Sequence, residues 1–231
     1  MNAFWESLPL PWQVCLEQAW LAYRAGSIPI GAAITAPDGA IISRGCNRIN
    51  DPYVPDGMIH NSKLAHAELN ALIVFPDGNY DFRTCTLYTV LEPCPLCLGA
   101  LYMAGVRKLY YAARDPWAGS VNLLGTTPYL SRKPVQAIGP SNPELEQVII
   151  ALQVVSFIQG VLNNAARVLE VWRQVFPQFV AFGEQVFAAQ ILPQSRDKNL
   201  PLSELINRLF LLLPQTKIPV SGYEKPGDQQ V

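Results

Sequence analysis

A chain of 231 residues is long enough for one large domain, or one domain with an extension. Half its residues are hydrophobic and only 15% are charged, the profile of a compact protein with extra buried or subunit-facing surface. The net charge of −1 lies wholly beyond residue 140, because residues 1–140 hold ten Lys/Arg against ten Asp/Glu, so bulk charge gives no support to nucleic-acid binding. No apolar run reaches bilayer-spanning length, since Gln153, Gln159 and Asn163 interrupt the longest. Residues 1–13, with Glu6 and two prolines, lack the basic start and apolar stretch of a secretory signal, so a cytoplasmic location is expected. Five cysteines, two of them paired as Cys94 and Cys97, point to a reducing compartment and a metal site, not a disulfide framework. Cys15, Cys46 and Cys85 read as small buried side chains.

In chain order, Leu10–Ala25 reads as a helix, with Val14, Leu16, Ala19, Trp20, Leu21 and Tyr23 on a broad apolar face and Gly26 as its stop. Ile28–Thr35 is a β-rich run, Pro37-Asp38-Gly39 a turn, and Ala40–Arg44 the returning strand. Asn50–Gly57, rich in Asp, Pro and Gly, is a loop. A second helix is expected from Ser62 or Lys63 to about Val74, with His66 and Glu68 near its start and Phe75-Pro76-Asp77-Gly78 closing it. Thr84–Leu91 is a strong strand that delivers Glu92-Pro93-Cys94, and Pro95 opens a helix to Ala104. Val106–Ala112 and Val135–Ile138 read as fourth and fifth strands. Alternating strands and helices predict an α/β fold, a three-layer α/β/α sandwich.

From Asn142 the pattern turns helical. It runs to about Trp172, breaks at Pro177, resumes to about Leu192 and ends with Ser203–Leu213. The division predicted is therefore a domain over 1–140, a helical C-terminal extension over 141–220 and a disordered polar tail over 221–231. Val148, Ile149, Leu152, Val155, Phe157, Ile158, Val161 and Leu162 form an apolar surface that must be buried against the sandwich or a second subunit.

The chemistry concentrates in His66-Ala67-Glu68 and Leu91-Glu92-Pro93-Cys94-Pro95-Leu96-Cys97. Two cysteines two residues apart present both sulfurs to one ion, and a histidine supplies a third ligand, leaving a fourth position open as in catalytic zinc. Helix N-termini aimed at the site favour thiolates at Cys94 and Cys97. Alone, each half of this pattern is ambiguous: His-x-Glu suits an ordinary helix surface, and Cys-x-x-Cys suits structural zinc or redox chemistry.

Together they form the zinc-deaminase signature, and residues from about Leu10 to Pro140 resemble the cytidine/deoxycytidylate deaminase superfamily. The resemblance is nearest to the branch of tRNA adenosine deaminases and guanine deaminases. It rests also on Ser27-Ile28-Pro29-Ile30-Gly31-Ala32-Ala33-Ile34, Gly45-Cys46-Asn47 and Ala113-Arg114-Asp115-Pro116-Trp117-Ala118-Gly119. It implies a cytidine deaminase-like fold, a Zn2+ cofactor held by His66, Cys94 and Cys97, and Glu68 as the proton carrier. It further implies that Asn47, the Ala67 backbone N–H, Asp115 and Trp117 meet substrate, with Glu92 holding the motif turn. His60 reads as a solvated loop residue, and Trp117 as either a stacking platform or loop packing. The activity implied is hydrolytic release of ammonia from a small nucleobase, nucleoside or related aminated heterocycle, in a homodimer. The alternatives are a tRNA adenosine (A-to-I) deaminase and an inactive, zinc-stabilised binding protein; Glu68 beside the open position counts against the last.

Overall fold

The computed structural model describes residues 3–53, 57–76, 78 and 80–214. The polar tail over 221–231 lies outside them, as do parts of the loop over 50–57 and of the turn over 75–78. A one-turn helix, α1 (Phe4–Ser7), precedes α2 (Leu10–Arg24), whose end is marked by Gly26 at φ +75°. β1 (Gly31–Thr35) and β2 (Ile41–Cys46) form the expected hairpin. Its turn is closed by Gly39 at φ +88° and by the Asp38 carboxylate, which accepts from the Ala40 N–H at 3.0 Å.

After α3 (Ala67–Ile73) the chain runs β3 (Thr86–Leu91), α4 (Pro95–Ala104) and β4 (Lys108–Ala113). A 3-10 turn (Val121–Leu123) and α5 (Pro128–Ser131) then lead to β5 (Gln136–Ile138). The sheet order is β2-β1-β3-β4-β5, with β1 antiparallel to both neighbours and β3, β4 and β5 parallel. One buried cluster lies between the sheet and α3/α4, and another between the sheet and α2 with the C-terminal helices. This is the three-layer α/β/α sandwich.

Two glycines set the layer spacing. A Cβ on Gly31 would lie 2.1 Å from Cys15 O in α2, and one on Gly45 would lie 2.3 Å from Ala67 O in α3. Gly31 pairs with Cys46 and Gly45 with Ala32, so the two glycines point to opposite faces of the hairpin. Each lets a helix rest directly on the strand backbone.

Three expectations need correction. The second helix begins at Ala67, not at Ser62 or Lys63. The Ala65 carbonyl accepts from Arg48 N at 2.8 Å, which holds this approach against the end of β2, and His66 is extended (φ −81°, ψ 151°). The helix expected to run to Trp172 is two: α6 (Pro143–Ile158) stops before Gly160 at φ +80°, and α7 (Ala165–Val175) starts afresh. After α8 (Pro177–Ala188), Gln190 at φ 53° separates α9 (Ile191–Asp197), and α10 (Leu202–Leu211) follows.

α6 opens on Asn142, whose side-chain oxygen accepts from Leu145 N at 2.8 Å, and every residue from Leu145 to Phe157 is buried. It lies against β4 on one side and α7, α8 and α10 on the other. Its apolar surface is thus covered within the chain, which removes one ground for expecting a dimer. Among the described residues, no helix is long and apolar enough to cross a membrane.

Candidate metal centre and its cavity

His66 and Cys94 both occupy N-cap positions, His66 before α3 and Cys94 before α4, and Cys97 lies in the first turn of α4. The extended backbone at each cap turns its side chain back across the helix start, where unpaired N–H groups and the helix dipole favour anionic sulfur. His66 Nδ1 lies 3.5 Å from Cys94 Sγ and 3.4 Å from Cys97 Sγ. All three ligand atoms lie within 4.8 Å of one another, and they form the one cluster of potential ligands found among the described residues. Zinc bound tetrahedrally through one imidazole and two thiolates requires S···N separations of about 3.6 Å, so this donor set fits the ion.

Glu68 stands beside the cluster, 4% exposed. Its Oε1 accepts from Thr89 Oγ1 at 3.2 Å and its Oε2 from Cys97 Sγ at 3.3 Å. Burial raises its pKa, against the opposing pull of His66. The adjacent Cys97 thiol, and after it His66, bring Cys94 down to about 4. Cys97 moves the opposite way, well above the ordinary thiol range, because of Cys94 and then burial. The thiolate form, the one a metal ion binds, is thus favoured at Cys94. Burial lowers the His66 pKa, but Cys94 and Glu68 more than offset it, so the net shift is upward.

The centre opens on a cavity of about 120 Å³, small beside the roughly 300–1,000 Å³ of pockets for drug-sized ligands. His66, Glu68, Cys94, Glu92, Asp115 and Trp117 line it. Glu92 Oε1 accepts from Val121 N at 3.2 Å and its Oε2 from Asp115 N at 3.3 Å, so it braces the loop that carries Asp115 and Trp117. Asp115 Oδ1 accepts from Trp117 N and Ala118 N at 2.9 and 3.1 Å. Burial pushes the Asp115 carboxyl up to about 6. Trp117 is 39% exposed at the mouth, with the Arg167 guanidinium 5.4 Å from its ring centre.

Two residues expected at the substrate are not in the lining. Asn47 is buried, and its side-chain oxygen accepts from Ile49 N at 3.3 Å. Ala67 is buried at the first position of α3. His60 is exposed and lies outside the lining.

Sequence reasoning missed the far wall, which comes from Gln153 and Phe157 of α6, Leu162 of the connector, and Val168 and Trp172 of α7. A signal for it existed: Gln153 interrupts a run that is otherwise apolar, and a polar side chain in such a helix needs a partner.

A family model described as the cytidine and deoxycytidylate deaminase zinc-binding region matches residues 11–113. The cytosine deaminase of Candida albicans is 30% identical over 135 residues, 57% of this chain and 79% of that protein. The tRNA-specific adenosine deaminase of Agrobacterium fabrum is 33% identical over 111 residues, 47% of this chain and 67% of that protein. The guanine deaminase of Bacillus subtilis is 41% identical over 87 residues, 37% of this chain and 50% of that protein. The chain belongs to the cytidine and deoxycytidylate deaminase family and, with it, to the hydrolases that act on C–N bonds. The relatives differ in the base they are named for. The family match ends at residue 113, before Asp115, Trp117 and the whole far wall.

Proposed function

We propose that the protein is a zinc-dependent deaminase of a small, free aminated heterocycle. The observation that carries this reading is the size and closure of the cavity, about 120 Å³ with α6 and α7 as its far wall. His66, Cys94 and Cys97 would hold the zinc, which when bound supplies a Lewis acid that makes water nucleophilic near neutral pH. Glu68 carries the protons. Its carboxylate takes one from the attacking water, gives it to the ring nitrogen beside the reacting carbon, and then passes a proton to the leaving amine. A C–O bond forms, the C–N bond breaks, and ammonia leaves. The burial that raises the Glu68 pKa suits it to this two-way traffic.

Asp115 and Trp117 line the cavity and are the contacts proposed for the rest of the ring. Asn47 and Ala67 are proposed to act from behind, through the turn at Ile49 and the open N-terminus of α3. The apolar walls exclude bulk water and strengthen every charge interaction inside.

A second reading, deamination of adenosine in tRNA, is favoured by the relatives of that activity and by the exposed Trp117–Arg167 pair at the mouth, where a stacking ring meets a cation. A target base would then have to enter flipped out of its strand.

The test is ammonia release from free bases, nucleosides, pterins and unmodified tRNA, with Glu68→Ala as the control. Release from a small ring, lost in the variant while zinc is retained, is expected. Release from tRNA alone would overturn the reading.

A further inference from the structure

The even charge balance of residues 1–140 conceals a segregation. Residues 78–140 hold six Lys/Arg against three Asp/Glu. Two of the three carboxylates, Glu92 and Asp115, follow the C-terminal ends of β3 and β4 and are buried at the cavity. Five of the six cations gather at the other end of the parallel strands. Arg83 precedes β3, Arg107 and Lys108 lead into β4, and Arg132 and Lys133 precede β5. The strand register sets these segments side by side, with Thr86 opposite Lys108 and Lys108 opposite Gln136. The six residues of β4 separate this edge from the cavity, about 20 Å at roughly 3.3 Å per residue.

Arg83, Arg107 and Lys133 line one open groove of about 760 Å³, together with Tyr80 and Met103. Its one carboxylate among the described residues, Asp81, is engaged by Arg83, whose Nε donates to the two oxygens at 3.0 and 2.8 Å. Among the described residues, Arg107 and Lys133 have no carboxylate partner. Each instead lies against the Tyr102 ring, the guanidinium 5.6 Å and the ammonium 6.0 Å from its centre. An Nη of Arg107 also donates to Val106 O at 2.8 Å. Two cations are thus held in place with their charge uncompensated. Tyr80 and Met103 are exposed, and so is Tyr129, whose hydroxyl lies 3.3 Å from Met103 Sδ. Cations interleaved with exposed rings make a platform for a single strand, the cations taking phosphates and the rings stacking on bases.

We propose that this groove binds a single strand of nucleic acid, with Arg107 and Lys133 on its phosphates and Tyr80 and Tyr129 against its bases. It lies at the edge of the sheet opposite the metal centre, so it is an anchoring surface separate from the catalytic cavity. It goes beyond the small-ring reading and does not rest on it.

The experiment measures fluorescence anisotropy of a labelled single-stranded oligonucleotide of about 12 nucleotides, titrated with the zinc-loaded full chain over a salt series. A Kd of about 10 µM or tighter at about 50 mM salt is expected, weakening as salt rises. Arg107→Gln with Lys133→Gln should weaken binding on the order of 10-fold and reduce the slope of log K against log salt by about 1.4, roughly 0.7 per cation lost. Tyr80→Ala should weaken it about 5-fold without changing the slope. Lys198→Gln with Arg208→Gln removes the same charge from exposed positions on the C-terminal helices and should leave binding unchanged. Ammonia release from a small ring should be the same in all of these variants. Thermal melts establish folding, and if Arg107→Gln does not fold, Lys133→Gln decides alone with a slope loss of about 0.7. No binding at about 100 µM protein would overturn the proposal, as would equal losses in the two double variants. Equally tight binding of a poly-glutamate peptide would also overturn it, since the groove would then take any polyanion.

Discussion

The clamp between Arg114 and Glu146 is the joint through which the C-terminal helices reach the site, and Glu146→Gln tests it. The Glu146 side chain is 3% exposed and that of Arg114 19%. Glu146 Oε1 accepts from Arg114 N at 3.0 Å and from Nε at 2.7 Å, and Oε2 accepts from an Nη at 2.8 Å. The guanidinium also lies 4.9 Å from the Phe176 ring centre. Glutamine keeps the shape and one acceptor oxygen but removes the charge that compensates a largely buried guanidinium. Removing one partner of a buried pair costs about 3–5 kcal/mol, and the residual exposure of Arg114 places this case near the lower end, about 3 kcal/mol. Urea unfolding at 25 °C reads this directly. Arg114→Met combined with Glu146→Leu should recover most of the loss, since neither charge is then stranded. Because Arg114 precedes Asp115, the single variant should also raise KM more than it lowers kcat. A loss below about 1 kcal/mol would refute the clamp, for the pair would then behave as a solvated one.

Three further outcomes follow from the same geometry. Asp115 has a folded pKa of about 6 against an ordinary value of 3.8, so its ionisation favours the unfolded chain, and stability falls as pH rises through that window. Asp115→Asn keeps the acceptor for Trp117 and Ala118, and its stability advantage over wild type should open between pH 4 and 6 to at most about 3 kcal/mol, read from urea midpoints; an advantage that is flat with pH would contradict this. Gly45→Ala drives a methyl group to 2.3 Å from Ala67 O and 2.4 Å from Ala71 N, and should cost about 2 kcal/mol or more and displace the helix bearing Glu68, so a melt unchanged from wild type would dispose of the close approach. Added zinc should raise the Tm of metal-free protein in a concentration-dependent way, and His66→Ala or Cys97→Ser should abolish the rise; an equal rise in those variants would place the ion elsewhere.

The grouping of His66, Cys94 and Cys97, which could hold a metal ion, was legible because most of its pattern is local. Cys94 and Cys97 sit on one helical turn, and the strand that runs into Glu92-Pro93 delivers them at its C-terminal end, in the middle of the sheet. The β1–β2 pairing followed from the Pro37-Asp38-Gly39 hairpin, whereas the sheet order, with β1 beside β3, is a long-range arrangement that the sequence pattern does not contain. The start of α3 was not legible, because it depends on the long-range bond from Arg48 to Ala65 that holds His66 extended. Nor was the far wall of the cavity. The apolar pattern of α6 requires burial but does not say against what, and Trp172 reads as one more core aromatic on a face shared with Ala165, Val168 and Leu169. Gln153 becomes a cavity residue through the packing of α6, and Trp172 only through the chain's return in α7 after Gly160.

The most direct test of a closed site built for a small ring is steady-state ammonia release by zinc-loaded protein from one base offered three ways: free, as its nucleoside, and within an RNA stem-loop. The account predicts that kcat/KM is highest for the free base and falls by about 10-fold or more once a ribose must be accommodated. Equal or faster turnover of the base within RNA would contradict it.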